Sequence, residues 1–240
     1  MISLKYDGAG YHGWQRQKNA LSVQQCVEEA VSALFDTPVT VSGCSRTDTG
    51  VHANCFKCNF KTEKVLPHNT VINGLNFFLP EDIAVFDSVT VDNGFDARFC
   101  CVGKEYVYLI HNASVRDPFY RTRALFYRPE LDVDLLTREA QDFVGTHDFT
   151  SFRALGSNVK TTVRTVDFAY AERSGNLVSF HVQADGFLYN MVRIMVGTLL
   201  YIAEGKLERG SIPDIIAAKD RTKAGKTAPP EGLYLNQVFY

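Results

Sequence analysis

"RTVDFAYAERSGNLVSFHVQA", residues 164–184, decides the fold class. Arg164–Glu172 and Leu177–Ala184 are two runs rich in valine, phenylalanine and other strand formers, and a Ser-Gly turn separates them. A parallel pair would need a crossover of a dozen or more residues, so these two strands are predicted to form an antiparallel hairpin. A chain built on hairpins, with helices interspersed rather than in strict alternation, belongs to the α+β class.

The same reading extends outward. Ile2–Tyr6 is a strand that runs into "YDGAGYHGWQRQ" (6–17), where glycines at 8, 10 and 13 permit tight backbone geometry. Ser22 and Gln25 have the spacing of a capping box. Behind them Val23, Cys26, Val27, Ala30, Val31, Leu34 and Phe35 recur at the three-and-four interval of a buried helical stripe. Pro38–Ser42 and Val51–Phe60 alternate as strands, and Asn69–Phe78 reads as a helix. Ile83–Val91 and Lys104–His111 are further strands. Leu131–Val144 and the apolar Gly186–Glu204 are helices, followed by a short helix at Ser211–Lys219 and a last strand at Leu233–Phe239. The second half echoes the first. The expectation is two similar α/β subdomains, 1–104 and 105–240, sharing a mixed and mainly antiparallel sheet with helices packed on it and a central cleft between them.

Composition narrows the function classes. With 25 basic and 27 acidic residues the net charge is 25 − 27 = −2, so no global field marks a nucleic-acid binder and any such role must rest on local clusters. Two exist. Arg116, Arg121, Arg123 and Arg128 are interleaved with aromatics, and Lys219, Arg221, Lys223 and Lys226 lie close together. Basic side chains hold phosphates and aromatic faces stack on bases, although solvated loops carry the same residues. No segment has the 18 or so uninterrupted apolar residues of a membrane span and no leader precedes the first strand, so a cytoplasmic protein is expected. Of the six cysteines, Cys55 and Cys58 have C-x-x-C spacing, but an offset of three on a strand points them to opposite faces and no second pair completes four ligands. Neither a metal nor a disulfide framework is expected.

One loop calls for chemistry. "SGCSRTDTGVHA" (42–53) joins two strands, and Asp48-Thr49-Gly50 is ordinary turn chemistry. That reading leaves Arg46 unexplained. An arginine two residues before an aspartate can reach out of the loop while the carboxylate faces a cleft, and a nearby guanidinium keeps a nucleophilic carboxylate ionised. Arg193, in the otherwise apolar "DGFLYNMVRIMVG", is a candidate partner, because a lone arginine there is costly unless paired or at a rim. Phosphate-binding glycine motifs and the nucleophile elbow are absent, and Asp48 has no acidic twin in its loop for a glycosidase pair. His52 and His147 read as structural.

Six stretches, in order and over nearly the whole chain, resemble the tRNA pseudouridine synthase A family: "YDGAGYHGWQRQ" (6–17), "SVQQCVEEAV" (22–31), "SRTDTGVHA" (45–53), "FDARFCCVGKEYVYLI" (95–110), "DGFLYNMVRIMVGTL" (185–199) and "APPEGLYL" (228–235). The resemblance implies the pseudouridine synthase fold with an RNA-binding cleft. It implies an isomerase, free of cofactor and metal, that converts uridine to pseudouridine at positions 38, 39 and 40 in the anticodon stem-loop of tRNA, and a homodimer in which one tRNA contacts both subunits. Carried over residue by residue, Asp48 is the nucleophile, Tyr106 stacks on the uracil and assists loss of the C5 proton, and Arg193 pairs with Asp48. Arg46 helps extrude the target nucleotide, Thr47 lies beside it in the substrate loop, and Leu233 packs on the base. Arg98 and Lys104, with the two basic clusters and Arg164, are the expected phosphate contacts. The same chemistry on another RNA, or an RNA-binding module without turnover, are the alternatives. Thr49 stands where the family frequently has alanine.

Overall fold

The computed structural model describes residues 1–156 and 159–240. In chain order the elements are β1 (Ile2–Tyr6), α1 (Val23–Phe35), β2 (Ser42–Gly43), β3 (His52–Asn59), α2 (His68–Phe78), β4 (Ile83–Ser88), β5 (Gly103–Asn112), β6 (Leu125–Tyr127), α3 (Val133–Ala140), β7 (Gly145–Asp148), β8 (Val163–Ser174), β9 (Leu177–Ala184), α4 (Met191–Ala203), α5 (Ile212–Ala218) and β10 (Leu233–Phe239), with short 3₁₀ turns between them. The chain forms two compact units, 1–102 with 234–240, and 103–233. The last seven residues therefore return to the first unit, whereas the sequence reading assigned all of 105–240 to the second. β10 returns because it pairs in parallel with β3, Tyr234 opposite His52 and Leu235 opposite Ala53.

In the first unit β1 lies between β3 and β4, antiparallel to both, and β2 adds to β3. β3 is buried along nearly its whole length, so its side chains serve both faces of the sheet. Helix α1 buries Val23, Val27, Ala30, Val31 and Phe35 of the expected stripe and leaves Cys26 and Leu34 half-buried. Its capping box is half formed. The Ser22 hydroxyl accepts from the Gln25 amide at 3.4 Å, but the Gln25 side chain turns along the helix to Glu29. The stripe did not disclose Glu28, which is buried with its carboxylate taking Gln24 Nε2, the Val41 amide and Arg16 Nη1. That hub explains why the predicted strand at 38–42 shrinks to Ser42–Gly43. The Val39 amide donates to Ser32 Oγ and the Val41 amide to Glu28, so α1 consumes donors that a ladder would need.

In the second unit the hairpin that opened the reading is present. β8 and β9 pair antiparallel from Ser174↔Leu177 back to Val166↔Ala184, and Gly175 turns the corner at φ 58°. β9 pairs antiparallel with β5, β8 with β7, and β6 adds in parallel to β5, so each unit is a mixed, mainly antiparallel sheet with helices packed on it. β6 and β7 are short strands that the sequence reading missed. Val178, Phe180, Val182 and Ala184 form one buried face of β9, and α4 is buried almost all round. The helix predicted from Gly186 begins only at Met191, because Asn190 sits at φ 60°, outside the helical region.

Two glycines let the 225–228 segment lie directly on α4. A Cβ on Gly197 would stand 1.7 Å from the Lys226 carbonyl oxygen, and one on Gly225 would stand 2.4 Å from the Gly197 carbonyl oxygen. Asp148, the last residue of β7, gathers Thr150, Thr162 and Lys219. One carboxylate oxygen accepts the Thr150 amide and the Thr150 and Thr162 hydroxyls, and the other meets Lys219 Nζ at 2.9 Å. Among the described residues no helix is long and apolar enough to cross a membrane.

Gly197→Ala should cost about 2 kcal/mol, an overpacking penalty, and lower the melting temperature by roughly 4–8 °C in a circular-dichroism melt. Gly10→Ala, with open space around its Cβ, should melt within about 1 °C of the parent. Equal melting of all three proteins would refute the close approach. The Thr150 and Thr162 hydroxyls and then Lys219 hold the Asp148 carboxyl below the usual carboxylate range. Its folded pKa is depressed, so its contribution to stability is complete above the unfolded value of about 3.9 and is lost as pH falls below it. Asp148→Asn should therefore melt lower than the parent at pH 7, and the gap should narrow between about pH 5 and pH 3. A gap that is absent at pH 7, or constant with pH, would contradict this.

Candidate active site

Residues 44–51 form an extended loop between β2 and β3, and its shape is set by the glycine-rich turn beneath it. The Trp14 amide donates to the Thr47 carbonyl, the Gly50 amide to the Tyr11 carbonyl, and the Val51 amide to the Asp48 carbonyl. Gly13, at φ 79°, leaves no room for a side chain, since a Cβ would lie 2.3 Å from the Thr47 carbonyl oxygen. A Cβ on Gly8 would lie 2.0 Å from the Val51 carbonyl oxygen. Two of the three glycines in the turn thus serve close approach to the loop, which their local spacing could not reveal. Gly50, at φ 77°, gives the turn after the aspartate. Trp14 stacks on Phe56 at 3.9 Å and lies against Gly43, fixing the whole turn to the sheet.

Within this frame the side chains diverge. Arg46 is exposed, Asp48 is half-buried, and Thr47 is buried with its hydroxyl 2.9 Å from the Tyr6 hydroxyl. Thr47 is therefore a loop anchor. His52 is buried, accepts the Gly8 amide at Nδ1 and stacks on Tyr234 at 4.6 Å. His147 reaches the Val144 carbonyl. Both have partners suited to holding backbone in place. Arg98 lies on a separate turn that Asp96 organises by accepting the Arg98 and Phe99 amides, and its guanidinium sits over the exposed Phe99 ring.

The second unit gathers three more of the named residues. Tyr106 on β5 is only 7% exposed and meets Phe187 edge-on at 5.1 Å. Phe187 carries no signal of its own in the sequence. Arg193, in the first turn of α4, donates from Nε to the Ala228 carbonyl at 2.7 Å and from Nη1 to Asn190 Oδ1 at 2.8 Å. The Ala228 amide returns a bond to the Arg193 carbonyl. Leu233 is buried where 229–233 rides on β5, held by Tyr108 Oη on the Pro229 carbonyl and by the close fit of Gly232 to Tyr108. Tyr106 on β5, Arg193 on α4 and Leu233 at the end of the 225–233 segment all lie in the second unit. Lys104 is half-buried on β5.

The basic clusters divide. Lys219 is paired with Asp148, and Arg221 donates to Ala224 and Thr227 in its own loop, while Lys223 and Lys226 are exposed. Lys206 and Lys226 both stand over Tyr201, at 5.0 and 6.0 Å. Arg116, Arg121, Arg123 and Arg128 are exposed on a surface that also carries Phe119 at 85% exposure. Arg164 is directed to the Thr161 and Val163 carbonyls. None of the six cysteines is in a disulfide, Cys55 and Cys58 included, and the described residues contain no grouping of three or more histidine, cysteine or carboxylate side chains that could hold a metal.

Comparison with known proteins places these features in a family. A family model described as tRNA pseudouridine synthase matches residues 2–99 and 140–240. A protein named tRNA pseudouridine synthase A from Ruminiclostridium cellulolyticum is 45% identical over 240 residues, covering all of this chain and 98% of the relative. Proteins of the same name from Acetivibrio thermocellus and a Thermoanaerobacter species are 46% and 42% identical over 239 and 240 residues, with the same coverage. The matched span contains the Asp48 loop, the glycine turn beneath it and the Arg193 helix, and on it the chain belongs to the tRNA pseudouridine synthase family.

Proposed function

We propose that this protein isomerises uridine to pseudouridine at positions 38, 39 and 40 in the anticodon stem-loop of tRNA, with Asp48 as the nucleophile. The observation that carries the reading is the Asp48 loop, whose backbone is clamped by Gly8, Gly13 and Tyr11 while its carboxylate stays half-buried and Arg46 projects to solvent. A carboxylate that must attack is aimed by such a frame, and it gains from partial removal from water.

The reaction breaks the bond between ribose C1′ and uracil N1, turns the base, joins C5 to C1′, and transfers the C5 proton away while N1 regains one. It is redox-neutral, and its parts match side chains present here. Asp48 adds to C1′ or to the uracil ring. Arg193 is the cation that keeps Asp48 ionised. Tyr106, held edge-on by Phe187, stacks on the uracil and assists departure of the C5 proton. Leu233 packs on the base. Arg46 occupies the space of the extruded nucleotide, since a stacked base cannot reach a carboxylate. Arg98, Lys104, the four exposed arginines between 116 and 128, Lys223 and Lys226 contact phosphates. A homodimer that joins these patches would concentrate cations along the RNA path despite a net charge of −2. Turnover in the cytoplasm, where tRNA is matured, completes the reading.

The test uses tRNA carrying tritium at uracil C5. The parent should release tritium as pseudouridine forms, and Asp48→Asn should do so at least about 10³-fold more slowly while still binding tRNA. Release by Asp48→Asn at the parent's rate would remove the nucleophile assignment. Binding without release by the parent would make the protein an RNA-binding module.

A further inference from the structure

The geometry points to Asn190 as a positioning residue that aims the Arg193 guanidinium. An asparagine at a helix N-cap ordinarily accepts an amide of the first turn through its side chain. Asn190 makes no such bond, and it adopts φ 60°, a left-handed conformation that few non-glycine residues take. Its carbonyl still accepts the first helical bond, from the Ile194 amide, so α4 starts in the usual way. The side chain is released for another task, and Oδ1 accepts Arg193 Nη1 at 2.8 Å.

Two anchors are needed to aim a guanidinium. The bond from Nε to the Ala228 carbonyl fixes one edge of the fork, but the plane can still swing about that contact. The bond from Nη1 to Asn190 stops the swing, and the remaining donors then have one direction. The anchors come from different segments. Ala228 is delivered by 225–228, held on α4 through Gly197 and Gly225, and Asn190 is delivered by the turn before α4, where the Tyr189 carbonyl accepts the Ala154 amide. A left-handed asparagine is the residue that supplies both the turn and an acceptor at that point, because glycine would supply the turn alone.

This inference rests on the reading in which Arg193 serves Asp48, and the experiment separates the two. Single-turnover tritium release, with the full-length protein in excess over tRNA, gives a maximal rate and a half-saturating concentration for each variant. Asn190→Gly keeps the left-handed backbone and removes only the acceptor. Its maximal rate should fall about 30-fold, with half-saturation within about twofold and a melting temperature no lower than the parent's. Asn190→Asp retains the acceptor and should stay within about threefold of the parent. In an Arg193→Lys background the Asn190→Gly change should slow the reaction no further, because the group it aims is already gone. A parent-like rate for Asn190→Gly, an Asp variant as slow as the Gly variant, a loss confined to half-saturation, or an equal loss in the Arg193→Lys background would each overturn the role of Asn190. A fully active Arg193→Lys protein would overturn the assignment of Arg193 as well. Full activity of Asp48→Asn would bring down the nucleophile reading on which both depend.

Discussion

A Cβ on Gly13 would lie 2.3 Å from the Thr47 carbonyl oxygen, and a Cβ on Gly197 would lie 1.7 Å from that of Lys226. Backbone packed this closely on backbone is the constraint from which the candidate site follows. In the first unit it presses the glycine-rich turn under residues 47–51, so the Asp48 loop is shaped by amide and carbonyl contacts from below. In the second it presses 225–228 onto α4, which brings the Ala228 carbonyl to Arg193 and leads the chain over Tyr108 to Leu233. Both contacts are made by main chain.

The chemistry assigned to the protein is divided between the two units. Asp48 and Arg46 belong to the first, and Tyr106, Arg193 and Leu233 to the second. Each unit prepares its own part through local contacts. A half-buried carboxylate stands on a clamped loop, an edge-on aromatic pair involves Tyr106, and a guanidinium is tied at two of its nitrogens. Under the proposed assignment, such ties hold these groups in place before substrate arrives, so less ordering is left to the reaction.

The long elements were legible because their signals are periodic. The α1 stripe, the β8–β9 hairpin and the last strand stand where alternation and helical spacing put them, and the loop that carries Asp48 joins two strands as expected. What escaped the sequence is long-range. The amides of Val39 and Val41 are taken by Ser32 and Glu28, which shortens a strand that looked sound locally. Asn190 delays α4 by several residues through a left-handed φ that no pattern announces. Gly8 and Gly13 read as allowing a tight local turn, whereas they are also sites of contact with residues about 40 positions away. Lys219 and Arg221 looked like phosphate ligands in a charge run, and the structure gives them partners within the protein.

The most direct measurement is a nucleotide-resolution map of pseudouridine in unmodified tRNA transcripts before and after incubation with the purified protein. The account predicts new pseudouridine at positions 38, 39 and 40 of the anticodon arm and at no other uridine of the transcripts. Pseudouridine appearing only elsewhere in the tRNA, or none appearing at all, would contradict it.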